Sequence, residues 1–196
     1  MEDMGAVDAL QVVRATEPYW DALQGLFGPA GADNGCWCQY WLIGAEYHRR
    51  DREKNAADLR AQVTEDSAGL LALRGDEPVG WARLSNRSEL SYLTHRFRGF
   101  PFSDDDPLSL ACFFIARRAR GQGVMTALIE GAVREGERRN RVIEAYPVDP
   151  EVPDATRNRF PGVLPAFLAC GVREVGRLAS DRAVVRSRAS DQGPRS

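Results

Sequence analysis

Lysine is almost absent from this 196-residue sequence, because Lys54 is the only lysine among 26 basic residues. Arginine is the default cation here, so a single arginine carries little information about a binding site. The net charge is only −2, and residues of opposite sign are interspersed. The balance of charge therefore gives no general reason to expect nucleic acid as a partner.

Long apolar runs and a basic leader are missing as well. No apolar run approaches the length needed to cross a bilayer, and the first ten residues are acidic rather than basic, unlike a signal peptide. We therefore expect a cytoplasmic protein without a membrane partner. Four cysteines in such a chain do not indicate a disulfide framework.

The composition is that of a globular protein. Apolar residues make up 43% of the chain and charged residues 28%, which are ordinary values for a folded domain with a sizeable core. A Pro- or Ser-rich linker that would divide the chain is lacking. We predict a single domain over residues 1–189 and a disordered tail over residues 190–196.

The most informative stretch is a strand that leads through a glycine-containing turn into a helix. Residues 110–115 form an unbroken apolar run, which is typical of a buried strand. From Val124 to Val133 the apolar residues recur with helical spacing and form a broad stripe that would pack on the sheet. The pattern predicts a strand, a turn and an amphipathic helix.

The turn between them, residues 120–125, is a candidate anion site. Its glycines allow a tight turn and a close approach to a ligand, and the first N–H groups of a helix have no partner within the helix. Such amides bind phosphate, and Arg120 can add a charged contact. A plain strand-to-helix turn is the alternative, because a Gly-x-Gly pattern by itself is weak.

With these residues the sequence resembles the GNAT superfamily of N-acyltransferases, whose pattern Arg/Gln-x-x-Gly-x-Gly/Ala binds the pyrophosphate of acetyl-coenzyme A (acetyl-CoA). The pattern falls on Arg120, Gly123 and Met125, with Met where the family prefers Gly or Ala. The resemblance implies that acetyl-CoA is the co-substrate. Its binding residues would be Phe113, Phe114, Ile115, Arg120, Gly121, Gln122, Gly123, Val124, Met125, Thr126 and Phe167.

The resemblance also implies an α/β (α+β) fold, with a mixed, largely antiparallel sheet of six to seven strands, a central parallel pair and flanking helices. The pattern of residues fits this order. It predicts strands at 10–14, 69–73, 79–84, 110–115, 142–146, 174–178 and 183–188, and helices at 17–27, 50–65, 124–138 and 164–170. We expect Thr16 to cap the first helix, and the charged helix at 50–65 to cover the site rather than fill the core.

Residues 36–41 contain two thiols and three large aromatic side chains. A metal site would need further ligands with a paired spacing, which the chain lacks, so we expect no metal. A redox pair is disfavoured by the Cys-x-Cys spacing, which leaves core packing or an acceptor pocket. The segment, with the YPVDP segment at 146–150, resembles one branch of the superfamily, and it implies an acceptor site at Cys36, Trp37, Cys38, Tyr40 and Trp41.

Proton transfer is where the sequence departs from the family pattern. Some family members use an acidic residue as general base and a tyrosine to protonate the leaving thiolate. These two positions correspond to Ser109 and Phe167 in this chain. Tyr146 is then the best titratable candidate to protonate the leaving thiolate or to orient a water molecule. We therefore name Tyr146 and Ser109 as the candidate catalytic residues. A buried tyrosine satisfied by a backbone carbonyl is the alternative.

Two classes of function remain open. The first is an enzyme that transfers acetyl from acetyl-CoA to a small-molecule primary amine, by direct attack in a ternary complex. A longer acyl-CoA or an aminoacyl-tRNA could replace acetyl-CoA as donor, so tRNA is not excluded as a partner. The second class is a CoA-binding module without catalysis. Assembly into a homodimer is left open.

Overall fold

A computed structural model describes residues 9–65 and 68–188. Its strands form one seven-stranded sheet in the order β1-β2-β3-β4-β5-β7-β6. Only β4 and β5 are parallel, and the other neighbours are antiparallel. The strands are β1 (Leu10–Arg14), β2 (Gly69–Arg74), β3 (Glu77–Asn86), β4 (Leu108–Ile115), β5 (Ile143–Ala145), β6 (Arg173–Ala179) and β7 (Arg182–Arg186). The predicted fold class is confirmed.

Six α-helices flank this sheet within the described residues. They are α1 (Trp20–Phe27), α2 (Tyr40–Ile43), α3 (Arg52–Thr64), α4 (Ser91–Arg96), α5 (Val124–Arg138) and α6 (Leu164–Ala169). Short 3₁₀ segments cover Glu17–Tyr19, Gly44–His48, Arg87–Glu89 and Arg117–Ala119. The predicted tail at 190–196 lies outside the described residues.

Helix α5 is the crossover between the two parallel strands, as its amphipathic pattern predicts. Leu128, Ile129 and Ala132 are fully buried in the main core cluster, which also contains residues from β2, β3, β4 and β5. Gly131 lies so close to β1 that a Cβ atom there would meet a Val12 methyl at 2.5 Å. The close contact fixes α5 on the sheet and so fixes where its N-terminus points.

The parallel strands stay together over only three residue pairs, from Leu108 opposite Ile143 to Leu110 opposite Ala145. Beyond these pairs a later segment enters the gap. The Phe113 amide donates to the Phe160 carbonyl at 2.6 Å, and the Val148 amide donates to the Gly162 carbonyl at 3.0 Å. Residues 160–162 therefore bridge the gap between β4 and the chain that follows β5.

Two local expectations are wrong. The Thr16 side chain makes no capping hydrogen bond, and the helix begins there as a 3₁₀ turn. Helix α3 does not merely cover the site, because Leu59 and Val63 are fully buried in a second core cluster with Trp81. The thin apolar line on α3 is thus enough to anchor it to the sheet.

No helix in the described ranges is long and apolar enough to cross a bilayer.

Candidate active site

The turn before α5 has the backbone geometry of an anion site. Gly121 and Gly123 have φ angles of 72° and 78°, in the left-handed region that favours glycine, and Gly123 is the N-cap of α5. A Cβ added to either residue would meet no atom within 4 Å. The space in front of the turn is therefore open to a ligand.

The amides from Gly121 to Thr126 have no hydrogen-bond acceptor among the described residues, whereas the Ala127 amide donates to the Gly123 carbonyl at 2.9 Å. These free amides lie at the positive end of a 15-residue helix. Free donors and a helix N-terminus together favour an anion such as phosphate. We call residues 120–126 the anion cradle.

The anion cradle opens onto a groove of about 710 Å³, which we call the main groove. This volume lies within the usual range for small-molecule sites. Nine of the eleven predicted co-substrate residues line it: Phe113, Phe114, Ile115, Arg120, Gly121, Gly123, Val124, Met125 and Thr126. The strand, the turn and the helix thus converge on one cavity.

The two other predicted co-substrate residues lie elsewhere. Gln122 is exposed, and its side-chain amide donates to the Arg118 carbonyl at 2.6 Å. Phe167 is fully buried and packs edge-on against Phe113, with ring centroids 6.0 Å apart. Phe167 supports the wall of the groove without lining it.

The opposite wall of the main groove is formed by residues 157–160, which the sequence analysis did not single out. Arg157 and Arg159 add positive charge to that wall. The Arg120 side chain bonds back to its own strand end, with Nε donating to the Ile115 carbonyl at 3.2 Å. The Arg-x-Arg pattern at residues 157–159 could have indicated this wall of the groove, but arginine is too common in this chain for that pattern to be informative.

A second, smaller cavity of about 190 Å³, the side pocket, adjoins the main groove. Four of the five predicted acceptor residues line it, namely Cys36, Cys38, Tyr40 and Trp41. The two cavities share Phe114, Asn158 and Phe160. A molecule in the side pocket would therefore meet one in the main groove at these three residues.

Trp37 is the predicted acceptor residue that the structure places in the core. Its ring stacks on Trp20 at 6.1 Å and contacts Phe27 at 5.6 Å, and only 7% of its surface is exposed. Trp37 and Cys38 both have positive φ angles, 45° and 56°. Such a backbone is unusual for residues other than glycine. Cys38 belongs to the same core cluster as Trp37, with 3% of its surface exposed, but unlike Trp37 it also lines the side pocket.

The side pocket also contains residues that the sequence analysis did not assign to the acceptor. Cys112 and Phe114 face it from β4, and Asp33, Tyr47 and Arg182 bring titratable groups from three other parts of the chain. Arg182 also lies over the Trp41 ring, at 5.9 Å from its centroid. The pocket thus offers aromatic faces, a carboxylate and a guanidinium to an acceptor.

Three thiols lie in this pocket, but the described residues contain no group of three or more His, Cys, Asp or Glu side chains arranged to hold a metal ion. The Cys38 and Cys112 sulfur atoms are 3.6 Å apart, and the Trp81 indole N–H donates to the Cys38 sulfur at 3.2 Å. All four cysteines are free thiols.

The two predicted catalytic residues lie together in a buried polar network beside the pocket. The Tyr146 hydroxyl is 3.0 Å from the Ser109 hydroxyl and donates to the Glu144 carboxylate at 2.7 Å. Glu144 also pairs with Arg87 at 3.1 Å. Burial and the Glu144 charge raise the pKa of Tyr146 well above its usual value. Neither Tyr146 nor Ser109 is among the residues that line the two cavities.

Residues 34–156 match the profile of the Acetyltransferase (GNAT) family. This segment contains the anion cradle, most of the main groove and four of the strands. A search of curated proteins found no match to the chain.

Solved structures share the fold at low sequence identity. An acetyltransferase from Thermus thermophilus has a TM-score of 0.51 and 18% identity, over 93% of this chain and 99% of that one. YncA, a putative acetyltransferase from Salmonella typhimurium solved with acetyl-CoA, has a TM-score of 0.55 and 11% identity, over 95% and 97%. The PaiA N-acetyltransferase from Thermoplasma acidophilum, solved with coenzyme A, has a TM-score of 0.51 and 7% identity, over 92% and 99%.

Proposed function

Because the chain belongs to the acetyltransferase (GNAT) family, we propose that it transfers the acetyl group of acetyl-CoA to a primary amine by direct attack in a ternary complex. Membership of the family makes the chain an acyltransferase that uses a CoA-type co-substrate. The proposal goes beyond family membership in two respects: the acyl group is acetyl, and the acceptor is a primary amine. The observation that carries the proposal is the meeting of an anion-binding groove with a separate pocket at Phe114, Asn158 and Phe160.

The described residues fit a CoA-type co-substrate in the main groove. The free amides of the anion cradle suit its pyrophosphate, and Arg157 and Arg159 on the opposite wall add charge that attracts the phosphates. Phe113, Phe114 and Ile115 provide an apolar wall that leads from the cradle towards the side pocket. A CoA-type molecule supplies the activated acyl group, and the protein supplies its position.

The side pocket suits a small acceptor that approaches the acyl group from the other side. Its aromatic walls, Tyr40, Trp41 and Tyr47, can bury an apolar part of the acceptor, while Asp33 and Arg182 can bind polar ends. Binding holds the amine beside the thioester before the chemical step, so the entropic cost of bringing the two molecules together no longer adds to the barrier of acyl transfer.

A backbone donor for the developing oxyanion is available on β4. The Phe113 amide faces the gap beside β4, where it donates to the Phe160 carbonyl. We assign it as the candidate donor, because a thioester oxygen that displaces this carbonyl would gain a positioned N–H group.

A panel of primary amines, incubated with the protein and acetyl-CoA, tests the proposal. We expect formation of the acetylated amine, detected by mass spectrometry, together with one free CoA per product. Mass spectrometry is preferable to a thiol reagent, because the protein has free cysteines of its own.

The panel also separates an enzyme from a binding module. Saturable CoA binding without product from any amine would contradict the proposal and favour the module. If product formed only with a longer acyl-CoA, the protein would still be an acyltransferase, but acetyl would not be the group that it transfers. A reaction without protein measures the background for each amine.

A further inference from the structure

Arg83 is a buried cation without a carboxylate partner in the described part of the chain. Its side chain is 1% exposed, and its three hydrogen bonds go to neutral oxygens. Nε donates to the Cys38 carbonyl at 2.9 Å, Nη1 to the Ser85 hydroxyl at 3.2 Å and Nη2 to the Gln62 amide oxygen at 2.8 Å. Because a buried charge without a counter-ion is costly, a nearby group that can become an anion is expected.

Cys38 is that group. Its sulfur accepts the Trp81 indole N–H at 3.2 Å and lies 3.6 Å from the Cys112 sulfur. A thiol can donate or accept a hydrogen bond, so a single proton between the two sulfurs can sit on Cys112. The Trp81 N–H group and the Arg83 guanidinium both favour negative charge on Cys38. Both residues lie on β3, so the sheet fixes their positions.

The two other thiols of the pocket do not compete for this role. Burial raises the pKa of the Cys36 thiol to about 12, and the hydrogen bond with Cys38 raises the pKa of Cys112 well above its usual value. The same hydrogen bond lowers the pKa of Cys38, with Arg83 and Trp81 acting in the same direction against burial. The remaining titratable groups of the pocket are Asp33, Tyr40, Tyr47 and Arg182.

We propose that Cys38 is the general base of the reaction, a thiolate that takes the proton from the incoming ammonium group of the acceptor. The inference rests on the proposed function. Cys38 lines the side pocket, whereas Ser109 and Tyr146 do not. The left-handed backbone at Cys38, with a φ of 56°, is a local cost of the kind found where a side chain is held for function.

The proton balance is complete without a further reactant. The acceptor ammonium gives one proton to the Cys38 sulfur, and its nitrogen lone pair then forms the new C–N bond at the thioester carbon. The C–S bond of the thioester breaks, and the CoA thiolate takes the second proton from the nitrogen. The Cys38 thiol finally returns its proton to solvent, so the enzyme is unchanged after one turnover.

The charge state of Cys38 can be measured without substrate. The thiolate has its own ultraviolet absorbance, so titration of the wild type from acidic to neutral pH should show one thiolate appearing below the pKa of an ordinary thiol, about 8.5. We expect Cys38→Ser to abolish this absorbance and Cys36→Ser, the matched variant from the same pocket, to retain it. A wild type without thiolate at neutral pH would overturn the proposal.

Kinetics test the role of the thiolate. We expect Cys38→Ser to lower kcat/KM by about 100-fold, the lower range for a positioned base, and to abolish the loss of activity that the wild type shows as the pH falls through the Cys38 pKa. Cys170, which lies outside both cavities, provides the control, and Cys170→Ser should keep the wild-type profile. Circular dichroism verifies that each variant is folded.

The failures are distinguishable. Wild-type activity with any amine, combined with a Cys38→Ser profile equal to that of the wild type, would remove Cys38 from the mechanism and leave the proposed function intact. An acetyl group found on Cys38 by mass spectrometry would make it a nucleophile and overturn its role as base. A wild type that binds CoA but acetylates nothing would overturn the proposed function and this role with it.

Discussion

Tyr146 is the residue at which burial changes the expected role most. Its ring is fully buried, and its hydroxyl donates to Glu144 and contacts Ser109. A tyrosine whose pKa is raised, and whose proton already serves a buried carboxylate, is a poor donor to a thiolate in a separate groove. The geometry favours a structural role: Tyr146 and Arg87 together stabilise the Glu144 charge inside the sheet.

Tyr146→Phe should therefore reduce stability more than activity. We expect the free energy of unfolding to fall by about 1–3 kcal/mol, the usual range for a buried charged group that loses a donor, and the turnover rate to change by less than the roughly 100-fold typical of a lost acid or base. Chemical denaturation and the acetylation assay give the two values.

Tyr19→Phe is the matched control, since the Tyr19 side chain is half-buried and its hydroxyl has no hydrogen bond to any described residue. Its stability should stay within about 0.5 kcal/mol of the wild type. If Tyr146→Phe instead lowered the turnover rate by about 100-fold or more with stability unchanged, Tyr146 would be restored as the proton donor.

Single residues also show what the sequence could not predict. Arg83 stands in an apolar strand without any local sign that it binds Cys38, which is 45 positions earlier. Trp37 and Cys38 are neighbours in an aromatic, thiol-rich segment with a left-handed backbone, and both are buried in one core cluster, but Cys38 also lines the side pocket whereas Trp37 does not. Side-chain direction in an irregular segment depends on tertiary packing, which spacing does not encode.

Among the elements, β4, the turn and α5 follow most directly from local sequence. The apolar run predicted a strand at 110–115 and the structure has one at Leu108–Ile115, while the helix begins at Val124 as predicted. Residues 157–162 behave differently, because their position depends on hydrogen bonds to Phe113 and Val148 on distant strands. The half of the main groove built by that segment was therefore missed.

The substitution Gly123→Asp tests whether the anion cradle binds the pyrophosphate of CoA. The new carboxylate would face the site of the pyrophosphate and repel it, and we expect the increase in melting temperature caused by CoA to disappear. The substitution also strains a left-handed position, since Gly123 has a φ of 78°, so the variant alone should be less stable. Differential scanning fluorimetry with and without CoA measures both effects.

Gly171→Asp separates strain from charge. Gly171 follows α6, has a φ of 75° and has equally open space where a Cβ atom would lie, but it is outside the main groove. This variant should lose stability like Gly123→Asp and keep the full increase in melting temperature with CoA. A normal CoA effect in Gly123→Asp would mean that the phosphates bind elsewhere.

At the scale of the whole molecule, the positions of the strands could be predicted because their patterns are local, whereas the mixed sheet with its parallel pair was expected from the resemblance to the family. The hairpin of β2 and β3, the parallel β4 and β5 and the final hairpin of β6 and β7 all lie where the sequence predicted strands. The two cavities of the site could not be predicted in this way, because they form only when the sheet is assembled. The cavities meet where β4 approaches residues 158 and 160, and the side pocket combines residues from positions 32 to 182.

The central claim is that the main groove holds a CoA-type co-substrate with its acyl group directed to the side pocket. A crystal structure of the protein with acetyl-CoA tests it most directly. We predict density for the pyrophosphate against the amides of residues 121–126 and density for the acetyl group at the junction formed by Phe114, Asn158 and Phe160. Density for acetyl-CoA at another surface, with the anion cradle empty at saturating ligand, would contradict the account.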